Sequence, residues 1–266
     1  MKKTVLSILT LVMTSLCATA SDTWVMNSEG DFIWYDFNEK EKTARVTFKG
    51  NKTSSGRLDY INDITIPSTV EYEGKLYSVT SIGKYAFSDC DKLLNVTVPN
   101  SVTSIGRAAF NNCRNLTEVV MPSELTSIGH WAFCGCHRLK EVIIPWRVTT
   151  IYVDAFDICD SLSSITVLNT TPPQIVGLNA NGQIPRILGE SVSVYVPAES
   201  VEKYKTAEGW KLANIKDLSQ ARAEKKALKV KNSADAGKAE FLTDFLMILL
   251  IITFVFVFLL LRKKNA

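Results

Sequence analysis

The chain has 266 residues, 46% hydrophobic and 21% charged, with 30 Lys and Arg against 27 Asp and Glu and a formal net charge of +3. Five of the basic residues and one acid lie in the two terminal segments, so residues 21–240 hold 25 basic and 26 acidic residues, a net of −1. A body so close to neutral removes the electrostatic case for a nucleic-acid partner.

Lys2 and Lys3 precede the largely apolar run Val5 to Leu16, and Ala18-Thr19-Ala20 supplies the small-x-small pattern of a signal-peptidase site. Residues 1–20 therefore read as a cleaved secretory signal, with Ser21 the first mature residue. Cys17 is not read as a lipidated cysteine, because Leu16 is too bulky for the position before it. Residues 21–63 are rich in aromatics (Trp24, Phe32, Trp34, Tyr35, Phe37) and read as an N-terminal cap.

A repeat follows. Val79-Thr80-Ser81-Ile82-Gly83 returns as Val102-Thr103-Ser104-Ile105-Gly106, as Leu125-Thr126-Ser127-Ile128-Gly129 and as Val148-Thr149-Thr150-Ile151, a period of 23 without a slip. In phase with it run Phe87, Phe110, Phe133 and Phe156, then Cys90, Cys113, Cys136 and Cys159, then Leu93, Leu116, Leu139 and Leu162. Each unit closes on an alternating strand (Val96-x-Val98, Val119-x-Met121, Val142-x-Ile144, Ile165-x-Val167), and Pro99, Pro122 and Pro145 end the first three. Units this short cannot bury their own apolar residues, so they must stack into a continuous core. Like residues then lie one above another at about 4.8 Å, the spacing of paired strands. Glycine after Ile82, Ile105 and Ile128 suits a tight turn, and Tyr152 in its place should loosen or reshape the last one.

Ile64-Thr65-Ile66-Pro67 and Val194-Tyr195-Val196-Pro197 carry the same strand-plus-proline signature, so the ladder starts fall at 64, 96, 119, 142, 165 and 194. The expected organisation is a capped, β-rich repeat solenoid of α/β type. The repeats span 64–168, and a C-terminal cap with the final strand spans 169–215 and ends in Tyr204, Trp210 and Ile215. A charged tether follows at 216–240. Residues 241–261, Phe241 to Leu261, are apolar on every face apart from Asp244 near one end. At about 1.5 Å per residue they reach about 30 Å, the thickness of a bilayer core. They are read as one transmembrane helix. Lysines flank it on both sides, so the positive-inside rule alone does not orient it. The cleavable signal does, placing the ectodomain outside and the tail 262–266 in the cytoplasm. No LPxTG-like sorting motif precedes the helix.

The unit VTSIGxxAFxxCxxLxxVxVP resembles the BspA-like leucine-rich repeat of bacterial surface proteins, over roughly residues 55–215. The tail from Tyr195-Val196-Pro197-Ala198 through Glu202-Lys203-Tyr204 to Trp210 resembles the terminal cap of such proteins from the Bacteroidetes. The resemblance implies a leucine-rich-repeat fold and a cell-surface or secreted location. It also implies adhesion to host matrix or to other bacteria, which some members perform. This chain departs from the pattern in having few repeats and a membrane anchor.

Chemistry is sparse. Four of the five mature cysteines occupy one repeat column, where a thiol acts as a small buried hydrophobe; a thiol ladder is the reading preferred to disulfides. Cys134-Gly135-Cys136-His137 with His130 is the one candidate zinc cluster, but Cys136 belongs to the ladder and His137 falls at a solvated position, so no metal is expected. Two histidines without a nucleophile motif give no catalytic residue, and no phosphate loop or HExxH occurs. Neither enzyme activity nor a cofactor is expected.

Alternation along the strands sends two columns outward. One is Asp63, Asn95, Glu118, Glu141, Ser164 and Ser193; the other is Thr65, Thr97, Val120, Ile143, Thr166 and Tyr195. Val120 and Ile143 form a small apolar centre flanked by Glu118 and Glu141, with Tyr195 further along. Trp131 and Trp146 break their columns: Trp146 stands where other units have Asn100, Ser123 and Asn169, and it reads as exposed. Trp146, Val120, Ile143, Glu118, Glu141, Trp131 and Tyr195 are therefore the candidate contact residues for a protein or glycan outside the cytoplasm. The rival function is a scaffold for assembling other envelope proteins. Nothing in the sequence sets an oligomeric state.

Overall fold

The structure is a computed structural model that describes residues 23–48, 60–177, 192–211 and 213–220. The signal at 1–20, the helix at 241–261, the tail and all but the first residues of the tether lie outside these. Among the described residues no helix is long and apolar enough to cross a membrane.

Each repeat supplies two strands rather than the one expected. The alternating stretches form β4 (Asn62–Thr65), β7 (Leu93–Thr97), β9 (Glu118–Val120), β11 (Glu141–Ile144), β13 (Ser164–Val167) and β15 (Ser193–Val196). The Thr-Ser-Ile stretches form β8 (Ser104–Ile105), β10 (Ser127–Ile128) and β12 (Thr150–Tyr152), continuing from the end of β6 (Lys75–Ile82) to β14 (Gln174–Val176). The pairings of the exact units are parallel and in the register the period demands, for example Ser104↔Ser127 and Ile105↔Ile128, whereas β12 pairs with β14 at an offset of 24 and β4 with β7 through a register shift. The fold is a β-rich leucine-rich-repeat solenoid built on parallel sheets.

The α/β character expected of the repeats is absent, because turns and not a helix connect the two strands of each unit. Two left-handed residues per unit account for this. Tyr85, Ala108, Trp131 and Asp154 have φ of 62°, 52°, 56° and 59°. Asp89, Asn112, Gly135 and Ile158 have φ of 59°, 57°, 76° and 54°. A right-handed helix cannot pass through such residues.

The interior is a set of stacked columns. Phe87, Phe110, Phe133 and Phe156 lie with ring centroids 5.0, 5.1 and 5.4 Å apart and planes within 4° of parallel. The cysteine column is a ladder of free thiols. The thiols of Cys113, Cys136 and Cys159 donate to the carbonyls of Phe87, Phe110 and Phe133 one unit earlier, at 3.0, 3.3 and 3.2 Å.

The glycine column has a different cause from the one expected. None of Gly83, Gly106 and Gly129 adopts a positive φ. A Cβ on Gly129 would instead lie 2.6 Å from the carbonyl carbon of Gly106, and one on Gly106 would lie 2.9 Å from that of Gly83. These glycines serve close approach of backbones, not turn geometry. Tyr152 does not loosen a turn; it extends β12 and pairs with Val176.

The ends are closed by different means. At the N-terminal end β1 (Thr23–Met26), β2 (Phe32–Asn38) and β3 (Thr43–Thr47) form an antiparallel meander, and β3 then joins β6 in parallel. β5 (Thr69–Tyr72) forms a hairpin with β6. Phe37 packs on Tyr72 and Tyr77 at 4.6 and 4.7 Å, and the Tyr77 hydroxyl donates to Glu39. At the other end Tyr204, on helix α1 (Val201–Thr206), donates to the Asn169 carbonyl at 3.1 Å, and the Trp210 indole donates to the Pro173 carbonyl at 2.8 Å. The ladder then gains a seventh strand, β16 (Asn214–Asp217), parallel to β15.

Candidate functional site

The alternating ladder is not continuous. β4, β7 and β9 make one sheet and β11, β13, β15 and β16 another, and no pairing joins β9 to β11. Backbone bonds flank the rungs on either side, from Thr117 N to the Leu94 carbonyl (2.8 Å) and from Ser163 N to the Lys140 carbonyl (3.0 Å). They have no counterpart between Lys140 and Thr117 among the described residues.

The side-chain columns give a reason. In the outward column Asp63 accepts from Asn95 at 2.7 Å, and Asn95 accepts from Thr117 at 2.9 Å, so the lower rungs are tied side chain to side chain. Above the break Glu141 stands opposite Ser164. At the break itself the outward column places Glu118 and Glu141 one unit apart, both lining the opening, and like charges facing across adjacent strands oppose pairing.

The opened rung forms a cleft of about 720 Å³, within the range of ligand-binding sites. Its apolar surface comes from Val120, Ile143, Trp146 and Leu168, which are 48%, 58%, 55% and 39% exposed. Met121 is half-buried on the same wall, although its counterparts Val98, Ile144 and Val167 are fully buried. Glu118, Glu141 and Lys140 line the other part. Several neutral polar groups there are already engaged. Asn100 Oδ1 accepts from Ser123 N and Oγ at 2.9 and 3.2 Å, and the Thr117 hydroxyl donates to the Leu94 carbonyl at 3.2 Å.

Five of the seven candidate contact residues, Glu118, Val120, Glu141, Ile143 and Trp146, thus line one cleft. Arg147 lies over the Trp146 ring at 4.6 Å and is held by Glu124 at 3.0 Å, which fixes the indole beside the opening. Trp131 is elsewhere, on the connecting turn. Arg107 of the preceding unit covers its ring at 4.8 Å and the His130 ring packs against it at 4.2 Å, so it packs on its neighbours. Tyr195 requires a correction. It sits in the outward column, but it is 6% exposed, with Lys216 of the added strand β16 at 5.6 Å from its ring. A side chain so covered offers no contact surface.

Leu168, Met121 and Lys140 were not among the candidates. Leu168 had a signal, since it stands where the preceding units have Pro99, Pro122 and Pro145. Lys140 had none.

Two residues of the candidate zinc cluster are committed to other contacts. The Cys136 thiol bonds Phe110 and His137 Nδ1 lies 2.7 Å from Asp160. Among the described residues no group of three ligating side chains could hold a metal. Burial pushes the Cys113 and Cys136 thiols well above their ordinary range, Cys159 up to about 12 and Cys134 up to about 11. None of these is a reactive thiolate at neutral pH.

The family described as BspA type Leucine rich repeat region matches residues 58–173 in six copies. Among solved structures, a leucine-rich repeat protein from Bacteroides capillosus ATCC 29799 is 31% identical, over 54% of this chain and 97% of that one, with a TM-score of 0.44. One from Bacteroides ovatus ATCC 8483 is 26% identical over 70% of this chain and 39% of that one, with a TM-score of 0.45. A leucine rich cell surface protein from Faecalibacterium prausnitzii A2-165 is 22% identical over 74% of this chain and 55% of that one, with a TM-score of 0.38. No curated protein matches the sequence.

Proposed function

Because the chain belongs to the BspA-type leucine-rich-repeat family, we propose that it is a binding or adhesion module outside the cytoplasm, held to a membrane by residues 241–261, and that it takes a partner protein in the cleft between β9 and β11. The observation that carries this reading is the opened rung. It gathers Val120, Ile143, Trp146 and Leu168 into one exposed apolar surface, on a ladder whose other rungs are closed. A protein suits the cleft better than a glycan. Sugar hydroxyls need convergent free donors and acceptors, whereas Asn100 and Thr117 are already hydrogen-bonded within the solenoid. Export and tethering rest on the signal-like residues 1–20 and the apolar segment.

The test is binding of the purified full-length chain to immobilised matrix proteins and, in parallel, to glycans. A charge placed in the apolar floor by Ile143→Asp should weaken protein binding at least about tenfold, as expected for a residue at the centre of an interface. Binding that is confined to glycans, or that is indifferent to Ile143→Asp, would overturn the reading. Protease treatment of intact cells tests location: an ectodomain that is fully protected would leave only a scaffold role within the envelope.

A further inference from the structure

The large apolar residues Trp146 and Leu168 both stand on one side of the cleft, just past the ends of β11 and β13. Trp146 and Arg147 are the central residues of a turn that Val148 N closes on the Pro145 carbonyl at 3.1 Å. The two units below make the same turn, from Val102 N to the Pro99 carbonyl and from Leu125 N to that of Pro122. There small polar residues stand in the column of Trp146 and tie one turn to the next, Asn100 to Ser123. In the third turn an indole that is 55% exposed takes that place, and the tie comes from the unit above.

Asn169, the next residue of the same column, supplies it. Its amide nitrogen donates to the Trp146 and Val148 carbonyls, each at 2.8 Å, and so grips the turn on both sides of Arg147. Both amide protons are thereby used. Its Oδ1 is buried and has no hydrogen-bond partner among the described residues, so the side chain acts through its two donors. The neighbouring Leu168 donates from its backbone to the Ile144 carbonyl at 3.0 Å. One dipeptide therefore sets both large apolar groups. The C-terminal cap holds that dipeptide in turn: the Tyr204 hydroxyl donates to the Asn169 carbonyl at 3.1 Å, and Ser200 Oγ to that of Thr170 at 3.0 Å. Asn169 is 8% exposed and Tyr204 is fully buried, so water does not compete for these bonds.

We infer that Asn169 is the positioning residue of the cleft, and that the C-terminal cap, through Tyr204, sets the place of Trp146 for the partner it meets. The cap is then part of the binding machinery as well as a cover for the end of the ladder. Without the Asn169 donors two carbonyls of the turn lose their partners, and the turn is held from below only by the exposed pair Arg147 and Glu124. An indole that is no longer fixed must be ordered again on binding, which weakens the complex.

The inference rests on the partner-protein reading above for what Trp146 does, and the experiment separates the two. The full-length chain is labelled with 5-fluorotryptophan, which places one fluorine on each of its five tryptophans. Trp146→Phe and Trp210→Phe assign the signals of the cleft and of the cap. Asn169→Asp keeps the size of the side chain but sets an acceptor against the two carbonyls, and it should shift or split the Trp146 signal. Tyr204→Phe removes only the hydroxyl and keeps the ring, which lies 5.2 Å from that of Trp210. It should move the Trp146 signal in the same direction by less, while the Trp210 signal stays. If Asn169→Asp does not fold, Tyr204→Phe decides by itself. In binding to immobilised matrix proteins Asn169→Asp should cost about tenfold, and nothing further beside Trp146→Ala, as for two residues acting through one contact. A Trp146 signal that neither variant moves, or that moves only together with that of Trp210, overturns the inference. So does a loss of binding that adds in full to that of Trp146→Ala. The expected signals without binding of any matrix protein uphold the positioning and sink the partner-protein reading alone.

Discussion

The two ladders of the solenoid are built on the same period, by the same units, and they behave differently. The Thr-Ser-Ile ladder runs from β6 through β8, β10 and β12 to β14 without interruption. Its column beside the core is glycine, and the backbones close to contact: Gly106 N and Gly129 N donate to the Ile82 and Ile105 carbonyls, each at 2.8 Å. Its exposed threonines bond downward, Thr126 to the Thr103 carbonyl at 2.8 Å and Thr149 to that of Thr126 at 3.3 Å. The alternating ladder carries charged and variable side chains at its outward positions, and it opens where two glutamates become neighbours. The period sets where the rungs lie; the side-chain columns decide whether each rung closes.

The largest effect should come from forcing open the closed ladder. In Gly129→Ala the new Cβ would sit 2.6 and 2.7 Å from backbone atoms of Gly106 and Arg107, which are not flexible side-chain ends. Overpacking of that kind costs about 1–3 kcal/mol, read as a lower urea midpoint with an unchanged slope. An unchanged midpoint would mean that the glycine column is not what holds this ladder together. A smaller effect should come from closing the open ladder. Glu118→Gln removes the like charge at nearly constant volume and should stabilise the chain by about 0.2–1 kcal/mol. Amide exchange over residues 118–121 and 141–144 should slow, and if it does not, the carboxylates are not the cause of the split.

The smallest expected effect is none at all. Cys113 and Cys136 are fully buried and bonded to phenylalanine carbonyls. Burial raises the pKa of both thiols, so the reactive thiolate is scarce at pH 7–8 in the folded chain and appears when unfolding returns them to their ordinary range. Iodoacetamide should leave both untouched in the native chain and modify both in urea. Native modification of Cys136 would mean that the opening reaches the core.

Much of the fold was legible from periodicity. The phenylalanine, cysteine and leucine columns are interior columns, and the alternating strands pair in the register that a period of 23 imposes. The second strand of each unit was not legible, because Ser104-Ile105 and Ser127-Ile128 are too short for alternation to show. The glycines were visible but their reason was not: a turn and a close backbone approach leave the same residue in the sequence. Of the site, Trp146 was legible as a departure from its column. Tyr195 misled, since its cover came from β16, a strand outside the repeat signature.

The sequence by itself determined the stacking of units, the identity of the core columns and the alternation that put Glu118, Val120, Glu141 and Ile143 outward. All of these follow from one period and the two-residue repeat of a strand. Only the tertiary structure decided that those residues border an opening and not a flat sheet face. That outcome depends on which side chains become neighbours one unit apart, and on whether hydrogen bonds or like charges meet there. A single unit does not contain that information, because pairing energy belongs to the contact between units.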